Sequence, residues 1–422
     1  MKEHKQPPAH QGKTIIQKKG SDNQRSKQKK FSTYAIIQSQ LLNQIREHLD
    51  SRCDLRYNEV TENIDIKWHR DNTYRPIEDR SFNSLLLTAK SSGVKISKDI
   101  LRQFLYSEQV KSVNPIKEAI KTYHANHLNT KGIIKKLTDK VKVNNNDKWE
   151  EYFTRWLVGM VANFFVDKRN TNHVCLTLSG DQGKYKSTFL LALIPDEMKD
   201  YVYIGKVNPN SKDTLSLLAT KLLIIIDDQL QQINKKDEND IKELITKDFV
   251  TWRRPFAVFE ITRPHRASFG ATVNGFEFLN DLTGSRRYLP FEIECIDIEA
   301  IKDIRKEKLF AEAYQLYLDG YRYWFDQDEV NQLNDANEKY RISSREYDLL
   351  LRFTDFDIRD EFLSTTEILQ RLEYNGEVRN LSVKKVGEAL KKIGYERVAR
   401  KIKGNKVWGY EISLNKYNHP DR

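Results

Sequence analysis

The residues whose types and spacing point most directly to chemistry lie in "GDQGKYKST", residues 180–188. A glycine, a lysine and a hydroxyl residue occupy the places that the phosphate-loop pattern G-x-x-x-x-G-K-S/T gives them. In such a loop the backbone N–H groups surround phosphate oxygens, the lysine neutralises the β- and γ-phosphates, and the hydroxyl ligates Mg²⁺. The pattern therefore predicts a site for ATP and Mg²⁺ made by Gly180, Asp181, Gln182, Gly183, Lys184, Tyr185, Lys186, Ser187 and Thr188.

One residue departs from the pattern, because Tyr185 stands where the second glycine is expected. Glycine there lets the backbone wrap closely, and a larger residue is restricted to fewer backbone angles. Since this position opens the following helix in many phosphate loops, we expect near-helical angles at Tyr185 and a ring that points outward. Gly180 and Gly183 provide backbone conformational freedom where the turn is sharpest. The stretch alone leaves three alternatives: a variant working site, an inactive remnant, or a coincidence.

A pair of acidic residues follows an apolar run in "KLLIIIDDQL", residues 221–230. Such a run predicts a central strand of a parallel sheet, with Asp227 and Asp228 at its carboxyl end. We assign Asp227, together with Ser187, to the metal ion, and Asp228 to orienting or deprotonating the attacking water. Asp228 is shorter than the glutamate usual in that role. The alternative is that the acidic pair only makes a turn at the end of the strand.

The surrounding elements predict an α/β fold. "HVCLTLSG", residues 173–180, is typical of a buried strand that runs into the glycine loop, and a helix follows the loop. A strand in "ASFGATVN" ends at Asn274, and the pair Arg286-Arg287 precedes a further strand. Aromatic residues within 149–165 recur every three or four positions, which predicts a helix buried in the core. We therefore expect a P-loop ATPase domain with a parallel sheet over residues 147–335.

The formal charge of +11 is concentrated in two segments. Residues 1–30 and residues 384–406 each hold nine Lys or Arg against two Asp or Glu, a charge of +7 each, which leaves −3 (11 − 14) for the rest. Two basic segments on a near-neutral body indicate a polyanionic partner, most simply DNA. The alternative is a solubilising tail and a solvated helix face. We interpret residues 1–30 as a disordered basic tail and residues 31–146 as a mixed, mainly helical domain without assigned chemistry.

Residues 345–422 have the pattern of a small separate domain. A capping box at Ser364 and Glu367 opens one amphipathic helix, a second helix follows, and a basic hairpin turns at "GN". This order predicts a winged-helix domain, which places a helix in the DNA major groove and a wing on the backbone. The predicted phosphate contacts are Lys384, Lys385, Arg400, Lys401 and Lys403. The alternative is a winged helix that docks onto a protein.

Several classes of protein are disfavoured by composition. No apolar run approaches the roughly 20 residues that a membrane span needs, so we expect no membrane partner. The amino-terminal residues lack the apolar core of a secretory signal. The three cysteines, Cys53, Cys175 and Cys295, lack metal-ligand spacing, which favours a reduced, cytoplasmic protein.

From about Asn114 to about Leu333 the chain resembles the virulence-associated E proteins of phages and mobile elements. The resemblance is strongest in four segments: "GDQGKYKSTF", "IIIDDQL", "ASFGATVN" and "NDLTGSRRYLPF". These are helicase-like ATPases related to the superfamily-three and AAA+ enzymes. The resemblance implies an AAA+-like core, in which Asn274 senses the γ-phosphate and Arg286 or Arg287 reaches a neighbouring subunit's nucleotide. It also implies a pore hairpin, in which Arg253, Arg254, Arg263, His265 and Arg266 would face DNA. The alternatives for these basic residues are ordinary ion pairs or a place at the nucleotide site between subunits.

The sequence thus leads to one main hypothesis: an ATP-dependent ATPase of phage or mobile-element type that translocates or unwinds DNA as a homo-oligomeric ring, such as a hexamer. A second hypothesis is a DNA-binding adaptor that uses ATP as a structural switch without helicase activity. A third is an interaction protein with an inactive loop.

Overall fold

The computed structural model describes residues 38–144, 147–253, 259–280, 284–342, 344–402 and 404–415. The predicted tail, residues 1–30, lies outside the described residues. The chain divides into two compact units, residues 1–122 and 123–422. The finer division proposed from the sequence stays a prediction. Within the described ranges, no helix is both long enough and apolar enough to cross a lipid bilayer.

The first unit is a small sheet with helices packed on it. Its four strands have the order β3-β2-β1-β4, with β1 antiparallel to β2. Alternate residues of β1 and β2, such as Cys53, Ile64 and Ile66, are buried with apolar residues of the helices. The elements are α1 (38–50), β1 (Cys53–Asn58), β2 (Asn63–Trp68), β3 (Arg75–Pro76), α2 (Asp79–Ser91), α3 (Lys98–Leu105) and β4 (Ser112–Val113), and α4 (Pro115–Asn126) leads into the second unit.

The second unit is built on a six-stranded sheet of order β5-β12-β6-β11-β8-β7. Neighbouring strands are parallel except for β5, which runs antiparallel to β12. The predicted α/β class is therefore confirmed as a mixed α/β structure with several sheets. The strands are β5 (Val141–Val143), β6 (Cys175–Gly180), β7 (Val202–Gly205), β8 (Leu223–Asp227), β11 (Ser268–Asn274) and β12 (Tyr288–Ile296), while β9 (Phe249–Trp252) and β10 (Ile261–Pro264) pair as a separate antiparallel ribbon.

The central strands are buried on both faces. Every residue of β6 is buried, as are Leu223, Ile224, Ile225 and Ile226 of β8. Continuous apolar runs of this kind are required where helices cover both sides of a parallel sheet. The helices of this unit up to residue 336 are α5 (Ile133–Thr138), α6 (Trp149–Ala162), α7 (Lys186–Ala192), α8 (Lys212–Thr220), α9 (Lys235–Thr246), α10 (Ile298–Lys302), α11 (Lys306–Leu318) and α12 (Gln327–Ala336).

The aromatic helix predicted near residue 149 is α6, and it is buried in the core as expected. Trp156 is fully buried, and its indole N–H donates to the carbonyl of Phe269 in β11 at 2.8 Å. Trp149 meets Phe291 of β12 with ring centroids 4.8 Å apart, and Phe153 meets Phe189 of α7 at 6.1 Å. The helix therefore ties the sheet to the helix that follows the glycine loop.

The carboxyl-terminal part has its own apolar core, formed by residues such as Leu350, Ile368, Leu390 and Ile412. The predicted capping box is confirmed, since Ser364 and Glu367 each bond the other's backbone N–H. One helix, α13 (Arg345–Phe353), and two short strands, β13 (Thr354–Asp355) and β14 (Glu361–Leu363), were not anticipated from the sequence. The other elements are α14 (Thr365–Asn375), α15 (Val383–Ile393), β15 (Val398–Ile402) and β16 (Asn405–Leu414), with β16 pairing all three other strands.

Candidate functional site

The register of the central strands brings the predicted site residues together. Asn274 at the end of β11 lies opposite Gly180 at the end of β6, and Thr272 lies opposite Asp227 at the end of β8. Because these three strands are parallel and adjacent, the glycine loop, the acidic pair and Asn274 meet at one edge of the sheet. They line a cleft of about 250 Å³.

Lys186 crosses the base of this cleft. Its ammonium donates to the carbonyls of Gly180 and Asp181, both at 2.7 Å, and to Oδ1 of Asn274 at 3.2 Å. The residue is only 6% exposed, and burial lowers the pKa of its ammonium. An anion in the cleft would favour the protonated form and raise that pKa again. The ammonium group is thus positioned to bind an anion in the cleft.

Beside the lysine, one carboxylate oxygen accepts two hydroxyl groups. Oδ1 of Asp227 accepts from Ser187 at 2.5 Å and from Thr272 at 2.6 Å. Hydroxyl and carboxylate oxygens are hard donors of the kind that Mg²⁺ takes. The described residues contain no group of three or more His, Cys, Asp or Glu able to hold a metal by itself. Mg²⁺ here would therefore take its remaining ligands from water and phosphate, as it commonly does.

The second aspartate is linked to the lysine through Asn274. The amide Nδ2 of Asn274 donates to Oδ2 of Asp228 at 2.8 Å, while its Oδ1 accepts from Lys186. Asp228 has a φ of +48°, and its backbone N–H donates to the carbonyl of Thr272 at 3.2 Å. The left-handed turn thus directs its carboxylate into the cleft rather than along the strand. Lys186, Asn274 and Asp228 form one polar chain.

The expectation of near-helical angles at Tyr185 is wrong. Its φ and ψ are 59° and 23°, the left-handed conformation, because α7 begins only at Lys186 and Tyr185 is its N-cap. The chain turns at this residue before it enters the helix, as the glycine of the pattern would allow. The ring points outward as expected and is 55% exposed.

Glycine is required at the start of the loop for a different reason. Gly180 has a φ of +134°, and a Cβ there would lie 3.0 Å from the carbonyl oxygen of Ile293 in β12. The same carbonyl accepts from Lys184 at 3.1 Å, and Lys184 also pairs with Asp181 at 3.3 Å. Gly183 has a φ of +87°. Residues 182–188 line the cleft, as predicted, while Gly180 and Asp181 supply the carbonyls that hold Lys186.

Two residues of the site were missed by the sequence reasoning. Thr272 bonds Asp227, and the side-chain amide of Gln231 donates to the carbonyl of Asn274. Thr272 could have been found, because it stands two residues before Asn274 in the same strand and so lies on the same face. Gln231 follows the acidic pair in a loop, and its partner depends on tertiary packing.

The arginine pair does not belong to this cleft within one chain. Arg286 and Arg287 precede β12, whose first residue, Tyr288, lies opposite the first residue of β6, Cys175. Five residue steps of a parallel strand separate this edge from Gly180, about 17 Å. Arg286 is exposed, whereas Arg287 is half-buried, its guanidinium bonds Thr246 Oγ1 at 3.5 Å, and burial lowers its pKa.

The predicted pore residues are only partly described. Arg253 follows β9 directly and is exposed, and Arg254 lies outside the described residues. Arg263 is exposed in β10. His265 is fully buried, and burial lowers its pKa to about 4, so it is neutral and cannot face DNA. Arg266 pairs with Asp167 and the carbonyl of Asn163, so the alternative of an ordinary ion pair holds for it.

The basic residues of the carboxyl-terminal part face different surroundings. Lys384 and Lys385 are both exposed, and Lys385 also lines a small cleft with Arg341 and Tyr347. Arg400 pairs with Glu411 across the hairpin at 2.7 Å. Lys401 is exposed on β15, and Lys403 lies outside the described residues.

Comparisons with known proteins were made on the sequence and on the structure. The sequence profile of the virulence-associated protein E-like domain matches residues 122–342, just over half of the 422 residues. The comparison with curated proteins gave no match. Among solved structures, the apo NrS-1 C-terminal region is 14% identical with a TM-score of 0.47, over 88% of this chain and 99% of that one. Its A form is also 14% identical, with a TM-score of 0.45 over the same shares.

The left-handed backbone of Tyr185 gives a first prediction. A β-branched residue is strongly disfavoured in this conformation, while glycine adopts it without strain. We expect Tyr185→Val to lower the free energy of unfolding by about 1–2 kcal/mol relative to Tyr185→Gly. Urea denaturation followed by circular dichroism measures the difference. Equal stability of the two variants would show that residue 185 has a right-handed backbone.

Proposed function

Because the chain belongs to the virulence-associated protein E-like domain family, we propose that its phosphate-loop cleft makes it an ATPase. One observation carries the proposal: three adjacent parallel strands bring an ammonium, a hydroxyl, two carboxylates and an amide to one cleft. These groups belong to Lys186, Ser187, Asp227, Asp228 and Asn274. They match, in type and grouping, what phosphoryl transfer needs: charge neutralisation, metal ligation and a group that orients water.

Each group has one role in the proposed reaction. Lys186 binds the β- and γ-phosphates, and the N–H groups of the loop and of the start of α7 surround their oxygens. Ser187 and Asp227 would hold Mg²⁺, which when bound neutralises charge that develops on the phosphates. Asp228 orients the attacking water and accepts its proton, with its carboxylate fixed by Asn274. Asn274 also contacts Lys186, so it would report on the γ-phosphate.

We also propose that the domain predicted over residues 147–335 has a P-loop AAA+-like core. Two observations support this proposal. The glycine loop connects β6 to α7, and β11 lies between β6 and β8 in the sheet. That position places Asn274 between the loop and the acidic pair, as expected for a sensor residue.

A second cavity supports a nucleotide rather than inorganic phosphate as the ligand. This cavity, of about 480 Å³, begins at Thr188 and follows the outer side of α7. Its lining combines apolar residues of α7, such as Leu191, with Ile304 and the basic Lys199 and Arg305. A base and ribose would lie there while the phosphates occupy the loop. This is the arrangement that ATP requires.

The position of the arginine pair supports assembly of several copies. Arg286 lies at the amino edge of the sheet, about 17 Å along the strand from its own glycine loop. It is exposed, whereas Arg287 is half-buried. We therefore propose Arg286 as the residue that reaches a neighbour's nucleotide in a homo-oligomeric ring, such as a hexamer. An arginine supplied in this way is worth about 10³ to 10⁵ in rate.

DNA is the proposed partner of the carboxyl-terminal part, which we propose is a winged helix. The exposed Lys384 on α15 and Lys401 on β15 lie on the two elements that such a domain presents to DNA. Arg253, at the end of β9, is a further candidate. We propose that ATP hydrolysis moves or unwinds DNA for a phage or mobile element in the cytoplasm. ATP hydrolysis measured with and without DNA tests this, and an adaptor would bind ATP without DNA-stimulated turnover.

Two substitutions test the cleft. Lys186→Ala should abolish ATP binding, because it removes the cation that meets the β- and γ-phosphates. Asp228→Asn should keep ATP bound and lower turnover by about 10²-fold or more, because it removes the group that accepts the water's proton. Calorimetry and phosphate release measure the two effects, and Lys212→Ala, at an exposed lysine outside the lining of the cleft, serves as the control. Undiminished ATP affinity in Lys186→Ala would contradict the proposal.

Mixing of variants tests the arginine in trans. Arg286→Ala should lower turnover with little loss of ATP affinity, and specific activity of the natural protein should rise with its concentration. A mixture of Arg286→Ala with Lys186→Ala should recover activity, because some interfaces then combine an intact arginine with an intact loop. A mixture no more active than its separate components would mean that no arginine acts across an interface.

Salt dependence tests the DNA contacts. Lys384→Gln with Lys401→Gln removes the two exposed lysines proposed as DNA contacts, so the slope of log K against log salt should become shallower by about 1.8. The matched control, Lys95→Gln with Lys98→Gln, neutralises two exposed lysines of the first unit and should leave the slope unchanged. Fluorescence anisotropy on duplex DNA from low to moderate salt gives both slopes. Identical slopes for the two double variants would favour a protein-docking role for this domain.

A further inference from the structure

The proposed function leaves Tyr185 unexplained. Its ring is 55% exposed, and its left-handed backbone is one that glycine would adopt without strain. Tyr185 is nevertheless a bulky aromatic at the carboxyl edge of the sheet, on the rim of the phosphate cleft. This exposed ring is available for a contact outside the loop.

At the opposite edge of the same sheet lies a pocket of about 290 Å³. It is lined by the segment that leads into β6, by Arg286, and by three consecutive aromatic residues, Tyr323, Trp324 and Phe325. Trp324 is 52% exposed. The pocket thus offers apolar ring surface beside a guanidinium, and apart from Arg286 none of its residues has a role in the reaction described above.

The two features cannot meet within one chain. Thr171, Asn172, His173 and Val174 of the pocket directly precede β6, and Tyr185 lies in the loop that follows β6. The strand holds them about 17 Å apart along its axis. A projection at one edge and a matching pocket at the other is the arrangement that joins identical copies head to tail.

We propose that Tyr185 of one copy inserts into the pocket formed by His173, Arg286 and Trp324 of the next copy. This rests on the proposed function, in which Arg286 reaches the neighbour's phosphate cleft. Arg286 lines the pocket and Tyr185 lines the cleft. An arrangement that brings Arg286 of one copy to the cleft of another therefore also brings Tyr185 of that second copy to the pocket. The partner is therefore a second copy of this chain.

The chemistry of the two surfaces is complementary. A tyrosine ring fits a pocket of this size, and it would pack edge-to-face against Trp324 or Phe325, which aromatic pairs favour. Its hydroxyl needs a polar partner when buried. His173 and Asp326 line the pocket, where they pair with Asp248 and Arg322, and each carries a polar group that can also bond a hydroxyl. The same contact would hold Arg286 against the cleft, which links assembly to completion of the catalytic site.

Assembly of the full chain tests the inference. Sedimentation velocity with Mg²⁺ and a non-hydrolysable ATP analogue gives the dissociation constant between copies. Tyr185→Gly and Trp324→Ala should each raise that constant about tenfold or more, as expected for a buried aromatic anchor. Tyr185→Phe, which keeps the ring, should stay within about threefold of the natural protein. Tyr374→Ala, which removes another highly exposed tyrosine, is the matched control and should have no effect.

Cross-linking gives an independent readout. In a Cys295→Ser background, the two remaining cysteines are buried. Mixing a Tyr185→Cys protein with a Trp324→Cys protein and adding a bis-maleimide should give a cross-linked pair that contains one chain of each. Replacing Tyr185→Cys by Tyr374→Cys should abolish that product.

The outcomes separate this inference from the proposed function. ATP binding by Trp324→Ala should equal that of the natural protein, since Trp324 is remote from the cleft. If the natural protein binds ATP and assembles while Tyr185→Gly and Trp324→Ala assemble equally well, the docking is wrong and the ATPase proposal stands. If Trp324→Ala loses single-stranded DNA binding instead of assembly, the pocket serves a nucleobase and the docking is again wrong. If the natural protein does not bind ATP, the proposed function is wrong.

Discussion

The register of β11 between β6 and β8 is the constraint on which the site depends. It places Asn274 opposite Gly180 and Thr272 opposite Asp227, so residues that are far apart in the sequence meet within hydrogen-bonding distance. A slip by one residue would turn every side chain of the shifted strand to the other face of the sheet. The complete burial of β6 fixes this register, because no residue of it can be exposed without losing apolar contacts. The chemistry of the cleft is thus set by packing of the core.

Two of the six described non-glycine residues with a positive φ lie at the same cleft. Tyr185 and Asp228 both have positive φ angles, 59° and 48°, although neither is glycine. Left-handed residues of this kind cost about 1–3 kcal/mol each and persist where the surrounding structure holds them. At Asp228 the strain aims a carboxylate at the cleft, and at Tyr185 it projects a ring away from the loop. Both deviations serve the site rather than the stability of the fold.

The parallel sheet also has two chemically different edges. Its carboxyl edge carries the phosphate loop and the acidic pair, and its amino edge carries Arg286 and the aromatic pocket. Since the length of a strand separates them, a single copy cannot use both sets on one nucleotide. In the proposed head-to-tail assembly, each interface would combine the two edges. The proposed ATPase and the proposed tyrosine contact both follow from this polarity of the sheet.

The sequence by itself determined the order of strand, glycine loop and helix, the buried aromatic helix and the identity of most cleft residues. Local patterns sufficed there, because the glycine loop, the apolar run before Asp227 and the spacing within α6 are each contained in one short segment. Only the tertiary structure decided the angles of Tyr185, the contact of Gln231 with Asn274, and the burial of His265. It also decided that Arg286 lies at the far edge of the sheet. These features depend on which strands are neighbours and in what register, which is set by long-range packing that no local pattern records.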